Sequence, residues 1–234
     1  MPLTLTYLTC MSAIGGFLFG YDTSVISGAL VLIDEQFELT DIQEGLIVSM
    51  TVLGAWAASL VSGKLADHYG RKPVVLASSI VFTVGSAILA IADDYNTLVV
   101  GRFIVGVGVG AASMCMPTFL GEIAPPENRG AIVTCINVAC TGGQFISCLV
   151  SGGLSYLQNG WRYMFGLAAL PAIVQFFGFI LIPESPRWLV SQGREADAEK
   201  ALRMIRPAEE NISAGKRRSL VRMLLDGNVH AFVH

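Results

Sequence analysis

The sequence predicts an all-α membrane protein built on six transmembrane helices, and three observations lead there. Of 234 residues, 53% are hydrophobic and only 14% charged, whereas ordinary globular domains carry roughly a quarter charged residues. The charges are clustered: between Met1 and Ile33 the sole acid or base is Asp22, and between Pro73 and Gly101 only Asp93 and Asp94 occur. Between the clusters lie six runs of the length, about 20 apolar residues, that a hydrocarbon core about 30 Å thick requires. A soluble core is excluded. With a net charge of −3 and no basic face, so is a nucleic-acid binder.

Each run is bounded by charge or turn residues. Span one, Leu3–Ile33, is longer than a perpendicular crossing needs and implies tilt; without a basic start it does not read as a signal peptide. Span two, Gly45–Ser62, follows an acidic stretch and ends at Gly63-Lys64. Span three, Val74–Ala92, opens after Arg71-Lys72-Pro73 and ends on Asp93. Span four is Leu98–Leu120, span five Ala131–Leu157 and span six Tyr163–Ile182. The predicted six-helix unit thus occupies residues 1–183. Residues 184–214 form a charged, helical segment in which Ala198, Leu202 and Ile205 recur at helical spacing, as in amphipathic helices lying beneath the bundle. Residues 215–234, with Lys216, Arg217 and Arg218, read as a cytoplasmic tail.

Lysine and arginine set the orientation, because retained cytoplasmic loops are enriched in them. Lys64, Arg71 and Lys72 lie between spans two and three, Arg129 between four and five, and nine more follow span six. The opposite loops carry Asp34, Glu35, Glu38, Asp41, Glu44, Asp93 and Asp94; only Arg102 and Arg162 break the pattern. Both termini are therefore expected to be cytoplasmic, and the protein a multi-pass resident of the plasma membrane. The sequon Asn211-Ile212-Ser213 falls on that side, which argues against its use.

An ionisable residue inside a span is costly unless paired or watered, so each is a functional candidate. Asp22 stands about 16 Å below the outer surface and Arg102, on span four, about 8 Å below it, so the two can meet. If the bundle changes shape and parts them, a buried carboxylate without its counter-charge favours the neutral, protonated form. Asp22 and Arg102 are thus candidates for proton coupling; a permanent ion pair tying spans one and four fits the same residues. Gln144, about mid-membrane on span five, offers two donors and two acceptor lone pairs, which suits a neutral polyol. Ser147, one turn on, is expected to share its face. An interhelical hydrogen bond is the alternative reading.

Gly106, Gly108 and Gly110 lie within a span, where small residues permit close helix contact rather than nucleotide binding. The five cysteines lie in apolar stretches without a C-x-x-C pair, and none of the three histidines is inside a span. No enzyme, metal site or cofactor is expected.

The loop GKLADHYGRK, Gly63 to Lys72, resembles the signature loop of the major facilitator superfamily. Three more stretches, GRFIVGVGVG (Gly101–Gly110), GEIAPPENRG (Gly121–Gly130) and PESPRWL (Pro183–Leu189), together with FLFGYDTSVISGAL (Phe17–Leu30), resemble its sugar porter branch. Within that branch the stretch from Gly142 to Leu189 is most similar to proton-coupled myo-inositol cotransporters. The resemblance implies a proton-coupling role for Asp22 with Arg102. It implies sugar contact by Gln144 and by Phe19, one turn before the acid. It implies a cytoplasmic gate of Gly63, Asp67, Gly70, Arg71 and Lys72 with Glu122, Arg129, Glu184 and Arg187.

Members of that superfamily have about twelve spans in two six-helix halves around a midplane site. The resemblance therefore implies the N-terminal half-bundle, a 3+3 inverted repeat, with a C-terminal six-helix half or another copy of the chain as partner. The implied activity is proton-coupled symport of myo-inositol or a related sugar or polyol by alternating access. A non-transporting regulatory partner of full-length carriers and a facilitative hexose uniporter are the alternatives. The expected partners are the polyol, a proton and the lipid bilayer.

Overall fold

The structure, a computed structural model, describes residues 3–124 and 129–205. Residues 206–234, including Asn211, Lys216, Arg217 and Arg218, lie outside the described residues, as do the side chains of Arg129 and Ile205. Eight helices run through the described residues: α1 (Leu3–Phe37), α2 (Asp41–Tyr69), α3 (Arg71–Ala90), α4 (Tyr95–Ile123), α5 (Arg129–Leu154), α6 (Gly160–Leu181), α7 (Pro186–Ser191) and α8 (Glu195–Ile205). The first six are long and apolar enough to cross a membrane.

Helix ends depart from the apolar runs for local reasons. Charged residues end a hydrocarbon-matching run but not a helix, so α2 continues past Ser62 to Tyr69. Its start is held by Thr40, whose backbone N–H donates to the Gln43 side chain at 3.0 Å, with Asp41 and Glu44 in the first turn favouring the helix dipole. Helix α5 stops at Leu154 rather than Leu157, because the chain turns there through Asn159 in the left-handed region, φ 59°.

The packing is symmetric. α5 lies along α1 as α2 lies along α4, while α3 and α6 pack on each other and back α4 and α1 respectively. Exchanging the first three helices for the next three reproduces these contacts. Because consecutive spans alternate in direction, a shift of three reverses every helix, which makes the repeat an inverted one. Close approach of α2 to α4 depends on Gly106 and Gly110: a β-carbon on either would run into the backbone of Thr51 or Ala55.

Two apolar clusters fill the bundle, one around Ile33, Trp161 and Phe165, the other around Phe119 and Phe179. Large apolar side chains such as Trp56 and Phe177 face outward, as a lipid-facing surface requires. Beyond α6, Pro186 opens α7 and the Ser185 hydroxyl accepts from the Trp188 N–H. Ala198 and Ala201 of α8 are buried against Leu189 and Val190, with Leu202 half-buried beside them. Arg194 hydrogen-bonds Asp197, at 2.8 and 3.0 Å, and holds its carboxyl below the usual carboxylate range.

Candidate functional site

Asp22 and Arg102 meet. Arg102 Nη1 lies 3.0 Å from Asp22 Oδ1, and the two residues are 2% and 4% exposed respectively. Helices α1 and α4 make few other contacts, so the pair bridges a seam that apolar packing does not close. Arg102 has a second support: its Cζ sits 5.4 Å from the centroid of the Phe165 ring on α6, within cation–π range. Next to the acid, the Tyr21 hydroxyl donates to the Met164 carbonyl at 3.0 Å, tying this turn of α1 to α6. Both partners thus have support from α6, the guanidinium through the Phe165 ring and the turn that carries the carboxylate through Tyr21.

Below the pair a cavity of about 310 Å3 opens between α1, α3, α4, α5 and α6, at the small end of the ligand-pocket range of about 300–1,000 Å3. Phe19 lines it, exposed at its mouth. No acid or base lines it, so its chemistry suits a neutral ligand.

Gln144 and Ser147 part company. Gln144 is exposed on α5 and has no hydrogen-bond partner among the described residues, so the alternative reading, an interhelical bond, is not met among them. Ser147 is fully buried. Gly143 and Ser151, one turn to either side of Ser147, both touch α1, and the helical repeat turns Ser147 into that seam as well. Neither Gln144 nor Ser147 lines the cavity. The expectation that they share a face is corrected: the α1 seam falls between them.

The opposite end of the bundle carries a network of charges. Arg71 Nη2 reaches Asp67 Oδ1 and Glu122 Oε1, each at 3.1 Å, and Arg71 Nη1 donates to the Ala66 carbonyl. Gly70 turns the chain with φ 102° and, as the residue before α3, has no side chain to cap it. Glu184 supplies the missing acceptor: its Oε1 takes the backbone N–H of Arg71 at 3.1 Å and of Lys72 at 3.2 Å. A β-carbon on Gly70 would collide with that carboxylate. Lys72 Nζ donates to the Ile180 carbonyl at 2.7 Å, and the Ser185 hydroxyl donates to Glu122. Two predicted members stand apart: Gly63 is half-buried against Met114, and Arg187 is exposed without an ion-pair partner among the described residues.

Three residues escaped the sequence reading. Gln175, on α6, is 2% exposed and lines the cavity; the rule that singled out Gln144, a lone amide in an apolar run, would have found it. Ser12 also lines the cavity, 1% exposed. Phe165 had no sequence signal, since an aromatic in an apolar run is unremarkable until something charged is laid against it.

Residues 8–220 match the model of a family described as sugar (and other) transporter. The proton myo-inositol cotransporter of Homo sapiens is 47% identical over 206 residues, covering 88% of this chain and 32% of that protein. Inositol transporter 4 of Arabidopsis thaliana is 43% identical over 206 residues, covering 87% and 35%. Among solved structures, the major facilitator proton:xylose symporter XylE of E. coli, bound to 6-bromo-6-deoxy-D-glucose, superposes with a TM-score of 0.86 at 26% identity, covering 97% of this chain and 54% of XylE. The chain spans about a third of the length of the two inositol carriers.

Proposed function

The chain belongs to the sugar (and other) transporter family, as the six-helix N-terminal half-bundle of the major facilitator fold, and from that premise we propose that it serves proton-coupled symport of myo-inositol or a related polyol by alternating access. The observation that carries this reading is the buried Asp22–Arg102 pair. A buried charge pair replaceable by well-packed apolar residues adds little stability for its cost, so its retention inside a bilayer points to use. In the proposed cycle, rocking of α1 against α4 parts the pair. Asp22, left in a low-dielectric interior, takes a proton from the outside, and the neutral acid allows the loaded carrier to reclose. Release of the proton inside restores the pair.

Phe19 and Gln144 are proposed to contact the polyol from α1 and α5. Asn137 and Gln144 present polar groups on the exposed face of α5, and lipid cannot satisfy them. This supports a second six-helix half, or another copy of the chain, as the surface that completes the site. The network of Asp67, Gly70, Arg71, Lys72, Glu122 and Glu184 is proposed as the cytoplasmic gate, with Arg129 and Arg187 joining it when the halves close. The termini are proposed to be cytoplasmic and the membrane the plasma membrane. The lysines and arginines of the short loops support that orientation, with Lys64, Arg71, Lys72 and Arg129 on one side against Arg162 on the other.

The test is uptake of labelled myo-inositol, with simultaneous recording of internal pH, in cells expressing the carrier that contains this chain. Saturable uptake with internal acidification is expected. Saturable uptake of a hexose without proton movement would replace symport by a facilitative uniporter, and absence of any uptake would favour a regulatory role.

A further inference from the structure

The cavity contains two polar atoms that the fold leaves unsatisfied. Gln175 Nε2 and Ser12 Oγ are both buried and both lack a hydrogen-bond partner, and both residues line the same cavity. Two neighbouring hydroxyls of its wall are already spent: Ser78 and Ser79 each donate to the Val75 carbonyl, at 2.8 and 3.0 Å. An orphaned buried donor is costly to keep, so native proteins rarely retain one without a use.

The backbone of α1 is shaped to the pair. Ser12, Gly15, Gly16 and Phe19 lie at the i, i+3, i+4 and i+7 positions of α1 and form one face over the cavity. A β-carbon on Gly15 would stand 3.0 Å from Gln175 Nε2 and 2.8 Å from Met116 Cε. Glycine there lets the Gln175 amide and Met116 pack directly against α1, so the amide's place depends on residue 15 having no side chain, while Phe19 sits at the outer end of the same stripe.

We propose that Ser12 and Gln175 form a deep subsite that receives one hydroxyl of the neutral polyhydroxylated substrate. The amide Nε2 is a donor only and takes a lone pair of that hydroxyl; the Ser12 hydroxyl, able to donate or accept, takes its proton or its second lone pair. A mostly apolar wall with these two buried groups admits the ring and fixes which hydroxyl points inward, with Ser113 and Asn137 on the more exposed part of the lining. The subsite rests on the reading of the chain as part of a polyol carrier, and it adds the element that discriminates among polyols. A site built to hydrogen-bond a hydroxyl rejects the analogue lacking it far more strongly than an apolar pocket rejects an extra group.

The test compares uptake of myo-inositol and competition by its monodeoxy derivatives in the intact carrier, unaltered and as Gln175→Leu, Ser12→Ala and Gly15→Ala, with surface amount measured for each. In the unaltered carrier one deoxy position is expected to weaken competition about tenfold or more. Gln175→Leu is expected to raise the half-saturating myo-inositol concentration about tenfold, and to treat that deoxy analogue like the parent while keeping the penalties at other positions. Ser12→Ala removes a single oxygen and is expected to raise it about threefold, which decides the matter should Gln175→Leu fail to reach the membrane. Gly15→Ala is expected to weaken uptake with both polar groups intact. Unchanged half-saturation in Gln175→Leu and Ser12→Ala, beside normal uptake by the unaltered carrier, would overturn the subsite and assign the two atoms to bound water, leaving the carrier reading in place. No polyol uptake by the unaltered carrier would overturn both.

Discussion

The guanidinium of Arg102, paired with Asp22 at 3.0 Å, also lies against the ring of Phe165, 5.4 Å from its centroid. The arginine therefore has an anchor that does not depend on the acid. Phe165→Leu keeps the site apolar but removes the cation–π support, about 0.5–2 kcal/mol. It is expected to alter the pH profile of uptake while leaving the protein folded in detergent. A profile unchanged from the parent would reduce Phe165 to packing.

Asp22→Asn is expected to abolish uphill accumulation of myo-inositol while sparing exchange of labelled for unlabelled polyol. Arg102 then stays buried without its counter-charge, and removal of one partner of such a pair costs about 3–5 kcal/mol. Thermal stability of the purified variant should therefore fall together with coupling. Normal accumulation against a gradient would remove Asp22 from the mechanism.

Arg102→Leu approaches the same pair from the other side. The buried carboxylate then has no partner to be parted from and rejoined to, so uptake is expected to change its dependence on external pH. Uptake measured across a range of external pH checks this, and an unaltered dependence would refute functional pairing at 3.0 Å.

Gln144→Ala is expected to raise the half-saturating substrate concentration about threefold to tenfold, the equivalent of one neutral hydrogen bond, with the maximal rate little changed. An unchanged value would return the exposed amide to the role of a contact with the second half. Since Gln175 acts in the proposed subsite on another helix, the losses in Gln144→Ala and Gln175→Leu should add to within a few tenths of a kcal/mol.

In the charge network proposed as the gate, the Arg71 and Glu122 side chains are only 12% and 9% exposed and lie 3.1 Å apart. A double-mutant cycle of Arg71→Ala and Glu122→Gln, read by thermal unfolding, is expected to show coupling of about 1 kcal/mol or more. Strict additivity would mean that the two charges do not act together.

The six spans could be read from the chain because lipid punishes any charge within a crossing, so the apolar runs had to be uninterrupted. The same penalty made the Asp22–Arg102 meeting legible: two opposite charges at similar depth have nowhere else to go. What stayed hidden depends on rotation about a helix axis. Gln144 and Ser147 project about 60° apart, and a seam with α1 narrow enough to pass between them is set by tertiary packing, not by spacing. Gln175 was visible as a lone amide, but its orphaned nitrogen came into view only when α1 was laid across it. The resemblance places Glu184 among the gate residues, but its role as the cap of α3 requires knowing that the end of α6 returns to Gly70.

That cap has a mechanical consequence. One carboxylate closes the first turn of α3 and immediately precedes Ser185, the residue from which α7 starts. Trp188 of α7 also donates through its indole to the Asp67 carbonyl at 2.9 Å. A pull on the short helix would strip acceptors from the bundle, so a force applied to the segment after the last crossing is transmitted to the second and third crossings as if by a handle on a drawer.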